Sequence, residues 1–231
     1  MKGNDKDRGK ARELLIRTAT GVIFVAVTLV MTMLSRVSFL ALLAVAGIWC
    51  SVEFWRIART ATLKALGVLY IALCMVAMWF FPTMGGGMSV VPEGTWDSRI
   101  VPAFLMVVWA NDVFAYLVGI TLGRHKMSPA LSPHKTWEGF AGGVVGAMLA
   151  SGVIGSLWIG EVWRIWIPFG LFVALAAVGG DLAESRFKRA AGVKDSGRLL
   201  PGHGGLLDRF DATLGAIPVA FLFFLLTHLS K

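Results

Sequence analysis

Seven long apolar runs constrain the fold of this chain more than any other feature of its sequence. Each run contains at most one Asp, Glu, Lys, Arg or His residue. Most of them approach the roughly 20 residues that a helix needs to cross the hydrocarbon core of a bilayer, and run 165–180 does so only with its flanking residues. Because the chain is 56% hydrophobic and only 16% charged, a soluble core of this length is disfavoured. The sequence predicts an all-α, polytopic integral membrane helical bundle with about seven transmembrane helices, from runs 18–35, 37–55, 65–92, 100–123, 139–160, 165–180 and 212–230.

The placement of basic residues predicts how the bundle is oriented. The formal net charge is +8. With the N-terminus inside, the predicted cytoplasmic segments hold all Lys and Arg residues except Arg36, Arg99, Arg164 and Lys231. Basic residues concentrate in cytoplasmic loops of membrane proteins, so this asymmetry predicts an N-in/C-out topology and argues against nucleic acid as a partner.

The same pattern divides the chain into a tail and one domain. Residues 1–17 form a basic cytoplasmic tail, and no small-residue cleavage site follows it, so the first helix is expected to be retained. Residues 18–231 are expected to form a single membrane-embedded domain with two cytoplasmic motif loops, 123–138 and 181–211. The predicted location is a bacterial-type inner (cytoplasmic) membrane, with a multi-pass chain and both motif loops facing the cytoplasm.

Three polar or weakly polar residues in the second and third runs are given mainly structural interpretations. Cys50 and Cys74 lie inside apolar runs, where a thiol packs easily, so neither a disulfide nor a zinc site is predicted. Glu53 is the one charged residue of run 37–55. The favoured interpretation is that Glu53 pairs with Arg56 or Arg59 at the membrane interface, and a functional role is the alternative.

Asp112 lies deep in the fourth run, roughly 16 Å along a helix from Gly123 at its inner end. An ionisable residue at this depth is costly unless it faces a polar cavity or a partner. Asp112, Tyr116, Gly119 and Gly123 follow the spacing i, i+4, i+7, i+11 and therefore share one helix face. This face predicts a polar cavity open to the cytoplasm, and an Asp satisfied by a neighbouring helix remains the alternative.

Loop 123–138 contains features of an anion site. Ser132 followed by Pro133 is typical of an N-cap and a first-turn proline, so a helix is predicted to begin here with free backbone N–H groups. Lys135 adds a positive charge, which favours a phosphate site over a merely basic loop. The next run carries glycines at G-x-x-x-G spacing, which predicts close helix packing within the chain or with a second copy.

Stretch 180–211 combines acids, bases and glycines between two apolar runs. Asp181 closes one run, and Asp208 and Asp211 open the next, so the three acids are expected at one membrane interface. The cations between them suit phosphate groups, and the glycines allow backbone to approach a ligand closely. The stretch therefore predicts a phosphate and metal site at the membrane surface.

Two sequence blocks resemble a known enzyme family. Residues 185–195 read S-x-x-K-R-x-x-x-x-K-D, and residues 201–211 read P-G-H-G-G-x-x-D-R-x-D. Together they are similar to the long signature of the phosphatidate cytidylyltransferases, which are the CDP-diacylglycerol synthases. The block from Ser132 to Gly139 resembles a second conserved block of that family, and the resemblance extends over residues 111–211. So many fixed positions at fixed spacing are a specific signal.

The resemblance implies a reaction, substrates and a cofactor. The enzyme would condense CTP with phosphatidic acid to give CDP-diacylglycerol and pyrophosphate in phospholipid biosynthesis, with Mg²⁺ as cofactor. The expected partners are CTP, phosphatidic acid and membrane lipids, and a homodimer is left open. One alternative is another Mg-dependent lipid-headgroup transferase, although the D-G-x-x-A-R signature of CDP-alcohol phosphatidyltransferases is absent. The other is an ion-coupled transporter, which would not need the basic, glycine-rich loop.

The resemblance and the acid placement also give a set of site residues. The predicted metal ligands are Asp181 and Asp208, with Asp211 and Asp112 as further candidates. The predicted catalytic residues are Asp181, Asp208, Lys194 and Asp195. The predicted substrate and phosphate contacts are Ser132, Lys135, Thr136, Ser185, Lys188, Arg189, His203, Gly204, Gly205 and Arg209.

Overall fold

A computed structural model describes the backbone of residues 2–84, 95–129, 131–160, 163–197, 199 and 204–229. Side chains are described between residues 15 and 227 of these ranges. His203, which is one of the predicted phosphate contacts, and the glycine-containing connection 85–94 lie outside the described residues.

Seven helices and one short hairpin make up the described chain. All seven helices are long and apolar enough to cross a membrane, which confirms the prediction of an all-α membrane bundle. A capping box at Ser35 separates the first two helices. The helices are α1 (Lys2–Leu34), α2 (Arg36–Ile57), α3 (Ala61–Met84), α4 (Ile100–Thr121), α5 (Trp137–Ile154, continued by a π-helical turn Gly155–Ile159), α6 (Trp163–Ala191) and α7 (Leu207–Leu229).

The helix α6 is longer than its apolar run and changes the prediction for stretch 181–211. It continues to Ala191, so Asp181 lies inside a helix and not at its end. The reason is that residues 181–191 are rich in good helix formers, and the helix stops only at Gly192, which has a φ of 79°. Since α7 begins at Leu207, only residues 192–206 connect the two helices.

The predicted helix start at Ser132 is wrong. Residues Lys126–Ser128 (β1) and Ser132–Thr136 (β2) pair as an antiparallel hairpin. The residue before a proline disfavours helical backbone, which suits Ser132 to a strand. Helix α5 begins at Trp137 instead, where the Thr136 hydroxyl accepts the backbone N–H of Gly139 at 3.1 Å. The capping residue is therefore Thr136, four positions later than predicted.

Glycines bring neighbouring helices into close contact. In α5, a Cβ atom at Gly139 would lie 2.8 Å from the Ala115 carbonyl oxygen, and one at Gly143 would lie 2.8 Å from the Asn111 carbonyl oxygen. The glycine stripe of α5 therefore packs against α4 of the same chain, which answers the question of its partner. The stripe gives no support to the homodimer that the sequence left open.

The core of the bundle is aromatic and aliphatic. Phe81 packs edge-on against Phe104 and Phe224, with ring centroids 5.3 and 4.9 Å apart. Both cysteines are buried free thiols, and Cys74 Sγ lies 3.7 Å from the Leu214 carbonyl oxygen. These contacts give both thiols a packing role, as predicted.

Three connections lie at one end of the bundle, which we call the motif face: the described parts of residues 58–60, 122–136 and 192–206. Contacts between α2 and the α6–α7 connection, and between β2 and α6, tie them together. At the opposite end, Asp97 pairs with Arg99 at 2.8 Å, and Arg99 also donates to the Trp158 carbonyl oxygen. The described residues of the sequence signature are therefore gathered at one end of the bundle.

Candidate active site

A cavity of about 530 Å³ opens at the motif face between α4, β2, α5 and α6. The predicted face of α4 lines it, because Asp112, Tyr116, Gly119 and Gly123 all contribute to its wall. A cavity therefore lies along that face, and its wall combines several polar side chains with a larger apolar surface. The other polar and charged side chains in the wall come from α4, the hairpin and α6. They are Asn111, Lys126, His134, Lys135, Thr136 and Asp181.

An ion pair spans this cavity. Lys135 Nζ from β2 contacts Asp181 Oδ2 from α6. Ser185, one turn further along α6, donates its hydroxyl to Asp181 Oδ1 at 3.3 Å. The two charged side chains are 28% and 29% exposed, so a ligand entering the cavity can reach both. The hairpin thus brings a cation from one predicted loop to an acid from the other.

Asp112 and Asp211 lie within electrostatic range of Asp181. The carboxylate of Asp112 interacts unfavourably with those of Asp181 and Asp211, and Lys135 partly compensates it. The side-chain amide of Asn111 donates to Asp112 Oδ1 at 3.3 Å. Like charges in electrostatic range of one another disfavour the ionised forms unless a cation compensates them. Three of the four acids predicted for the metal site therefore interact electrostatically.

Asp208, the fourth of these acids, belongs to an adjacent network. Lys188 Nζ lies 2.7 Å from Asp208 Oδ1 and 3.1 Å from Glu184 Oε2. Glu184, Ser185 and Lys188 share a face of α6 with Asp181, since they follow at i+3, i+4 and i+7. The lysine therefore links the α6 acids to the start of α7.

Backbone groups complete the environment of Asp208. Its carboxylate accepts the backbone N–H of Ser196 at 2.9 Å and that of Gly205 at 2.8 Å. Gly204 has a φ of 83°, a left-handed conformation that favours glycine. A charged acceptor at the first turn of a helix also interacts favourably with its dipole. The signature glycines and Asp208 thus form one local structure.

Glu53 does not pair with Arg56 or Arg59, so that prediction is wrong. Its side chain is only 2% exposed. It turns inward from α2 and accepts the backbone N–H groups of Leu206 and Leu207 at 3.1 and 2.8 Å. These N–H groups lie at the very start of α7 and therefore have no acceptor inside the helix. The sequence did contain a signal of this inward position, because Glu53 is the one charged residue in run 37–55.

Several predicted contacts lie away from the cavity wall. Lys194, Asp195 and Arg209 are exposed on or beside the α6–α7 connection and do not line the cavity. Arg189 donates to the Val193 carbonyl oxygen at 3.3 Å and so closes the end of α6. Ser132 is part of the hairpin. The catalytic roles of Lys194 and Asp195 stay predictions, and His134 is a cavity residue that the sequence reasoning missed.

The carboxylates of the site differ in how well they suit Mg²⁺. Among the described residues, no group of three or more His, Cys, Asp or Glu side chains is placed to hold a metal ion. Magnesium, however, is usually bound by one or two carboxylates together with waters and substrate phosphates. Asp181 suits that mode because it faces the cavity and its partners are one ammonium and one hydroxyl. Asp208 suits it less, since Lys188 and two backbone N–H groups already use its oxygens.

The fold and site together define an integral membrane protein with lysines and carboxylates around a cavity at one membrane side. The sequence profile of the cytidylyltransferase family matches residues 71–227. The chain belongs to this family, which confirms the resemblance noted in its signature. Glu53 lies outside the matched region.

Curated relatives carry a more specific name. The chain is 42% identical over 137 residues to the phosphatidate cytidylyltransferase of Mycobacterium bovis, covering 59% of this chain and 44% of that protein. It is 42% identical over 144 residues to the phosphatidate cytidylyltransferase of Staphylococcus epidermidis, covering 62% of this chain and 51% of that protein. The chain thus spans about half the length of the curated relatives it matches.

Proposed function

We propose that this protein is a phosphatidate cytidylyltransferase that joins CTP to phosphatidic acid and releases pyrophosphate. The observation that carries the proposal is the cavity at the motif face, where the Lys135–Asp181 ion pair meets Asp112. The names of the Mycobacterium and Staphylococcus relatives support the choice of substrates. The proposed location is the inner membrane of a bacterial cell, with the motif face in the cytoplasm, where CTP is available.

In the proposed reaction, a phosphate oxygen of phosphatidic acid attacks the α-phosphorus of CTP. A new P–O bond forms, the bond from the α-phosphorus to the oxygen bridging to the β-phosphate breaks, and pyrophosphate leaves with that electron pair. The nucleophile is already ionised near neutral pH, so no general base is required. Lys135 supplies positive charge where two anionic substrates approach each other, which is the main electrostatic obstacle to the reaction.

Magnesium is part of the proposal. Asp181 would hold it from the cavity wall, with Asp112 and Asp211 as neighbouring acids and Asp208 as a second ligand if Lys188 moves to a phosphate. When bound, Mg²⁺ would neutralise phosphate charge and orient the pyrophosphate leaving group. Within this chain, Ser185 donates its hydroxyl to the Asp181 carboxylate and orients it, and Lys135 would share that carboxylate with a bound Mg²⁺.

The decisive experiment is turnover by purified protein in lipid nanodiscs, supplied with phosphatidic acid, radiolabelled CTP and Mg²⁺. We expect labelled CDP-diacylglycerol and one equivalent of pyrophosphate. Asp181→Asn keeps the size of the side chain but removes its charge, and should lower kcat/KM by roughly 100-fold or more. Lys135→Met should lower it by a similar order, since it removes the ammonium that faces the cavity.

Two matched variants control for general damage. Lys64→Met makes the same substitution at the motif face, where Lys64 lies 5.2 Å from the Trp55 ring centroid and outside the cavity wall. Asp97→Asn changes a buried acid at the opposite end of the bundle. Both should retain near wild-type turnover per folded protein. Wild-type protein that gives no CDP-diacylglycerol with phosphatidic acid and CTP would refute the proposed function.

A further inference from the structure

We propose that Glu53 is a positioning residue for the site, and that it acts by holding the start of α7 and the Ser196 backbone in place. This inference rests on the proposed function, because the residue that it positions is Asp208. Glu53 lies on α2, outside the matched family region and far along the chain from the signature. Its assignment therefore comes from the geometry of its carboxylate alone.

The carboxylate of Glu53 is fully used as an acceptor. Oε1 accepts the indole N–H of Trp49 at 3.1 Å and the backbone N–H of Leu206 at 3.1 Å. Oε2 accepts the hydroxyl of Ser196 at 3.0 Å and the backbone N–H of Leu207 at 2.8 Å. All four donors are neutral groups, so hydrogen bonds and the positive end of the α7 dipole hold this buried charge.

Glu53 and Asp208 hold the same two pieces of backbone. Ser196 donates its hydroxyl to Glu53 and its backbone N–H to Asp208. The consecutive N–H groups of Gly205, Leu206 and Leu207 go to Asp208, Glu53 and Glu53 in turn. The two carboxylates thus interlock through shared segments. A shift of Glu53 would move the groups that orient Asp208.

Two glycines are needed for this close approach. A Cβ atom at Gly197 would lie 2.8 Å from Glu53 Cδ, and one at Gly205 would lie 2.7 Å from the Gly197 backbone nitrogen. Both distances are too short for a Cβ atom, so only glycine fits at positions 197 and 205 in this arrangement. The glycines around Ser196 and Asp208 therefore also leave room for Glu53, which gives Gly205 of the signature a role besides ligand approach.

The chemistry of the carboxylate makes the proposal specific. Glutamine at position 53 would carry one acceptor oxygen and one NH₂ donor. Whichever way the amide turns, its NH₂ group faces a backbone N–H, either that of Leu206 or that of Leu207. One N–H at the start of α7 would then lose its acceptor while buried, a loss that is costly for a bond to a charged group. Glu53→Asp is too short to reach all four donors.

The test measures local order and catalysis separately in full-length protein in nanodiscs. For Glu53→Gln, we expect faster hydrogen exchange in peptides covering 193–197 and 204–209, and unchanged exchange in α4 and α5. We expect kcat to fall roughly 10- to 100-fold, the equivalent of one lost hydrogen bond to a charged group, with less than about a threefold change in the KM for CTP. Asp97→Asn, which alters a buried acid elsewhere, should change neither local exchange at the motif face nor kcat.

A second variant keeps the proposal open to refutation if Glu53→Gln does not fold. Ser196→Ala removes one donor to Glu53 and leaves the backbone N–H bond to Asp208, so it should give a smaller change of the same kind. Wild-type exchange in these peptides together with wild-type kcat, in whichever variant folds, would overturn the proposal. So would faster exchange spread evenly over all helices. The exchange readout needs no turnover, so absence of wild-type activity would count against the proposed function and not against this role.

Discussion

Two adjacent glycines of α6 beside Asp181, Gly179 and Gly180, should respond differently to substitution because only one of them contacts α7. A Cβ atom at Gly180 would lie 2.6 Å from Gly215 Cα and 2.7 Å from the Asp211 carbonyl oxygen. These are backbone atoms of α7, so no side chain can move aside. A Cβ atom at Gly179 would meet nothing within 4 Å. Gly180→Ala should therefore push the two helices apart, and Gly179→Ala should not.

The pair of variants isolates the cost of the clash. Both gain the same helix propensity, up to about 1 kcal/mol for Gly→Ala inside a helix. This term cancels in the comparison, so the difference between the variants reports overpacking, typically about 1–3 kcal/mol. For a chain of this size, that corresponds to an apparent Tm lower by about 2–12 °C for Gly180→Ala than for Gly179→Ala.

The assay is thermal unfolding of both variants in the same detergent, followed by size-exclusion recovery of folded protein after heating. Turnover per folded protein is measured in parallel, because a displaced α6 also moves Asp181 relative to Asp211. Gly179→Ala should unfold at or above the wild-type temperature. Equal melting temperatures for the two alanine variants would refute the reasoning, since they would mean that α6 and α7 are not in backbone contact at this point.

Two further predictions concern a helix cap and the topology. Thr136→Ala removes the hydroxyl that caps α5 and should lower the free energy of unfolding by about 1 kcal/mol, measured by denaturant titration in detergent. Thr121→Ala, whose hydroxyl bonds the Leu117 and Val118 carbonyl oxygens within α4, is the control, and equal losses for both would contradict the cap assignment. A reporter fused after residue 231 should be active on the periplasmic side, because the odd number of spans places the two termini on opposite sides of the membrane. A purely cytoplasmic signal would contradict the N-in/C-out topology.

The sequence predicts the spans and the α4 face well because hydrophobicity and helix periodicity are local properties. Asp112 and Tyr116 share a face by spacing alone, whatever packs against it. Helix ends were harder, because apolar runs mark where a helix contacts lipid and not where it stops. Thus α6 continues past Gly180 through charged helix formers. Ser132 and Pro133 match a capping pattern, yet hairpin pairing with β1 makes that segment extended.

Local sequence patterns cannot predict hydrogen-bond and ion-pair partners that lie far apart in the chain. Glu53 has one basic neighbour within a turn, Arg56, so pairing with it is the natural inference from its own helix. Three of its four real donors instead lie 143, 153 and 154 residues away, at Ser196, Leu206 and Leu207, and no periodicity connects them. The separation of Asp181 from Asp208 into two networks has the same cause. Both acids lie toward the motif-face end of the bundle, but which lysine meets which acid depends on the tertiary fold.

Lys135 and Lys188 look equivalent in the sequence, but their contacts with carboxylates give them different roles. A lysine ammonium carries three N–H groups. Lys188 is 12% exposed and uses its ammonium on both Glu184 and Asp208, joining α6 to α7. Lys135 is 28% exposed, lines the cavity, and contacts one carboxylate, that of Asp181. Two N–H groups of Lys135 can therefore bind a phosphate while its ion pair persists, whereas Lys188 has one N–H group left and lies outside the cavity wall. Although Lys188 belongs to the longer signature, Lys135 is the one of these two lysines that a phosphate in the cavity can contact.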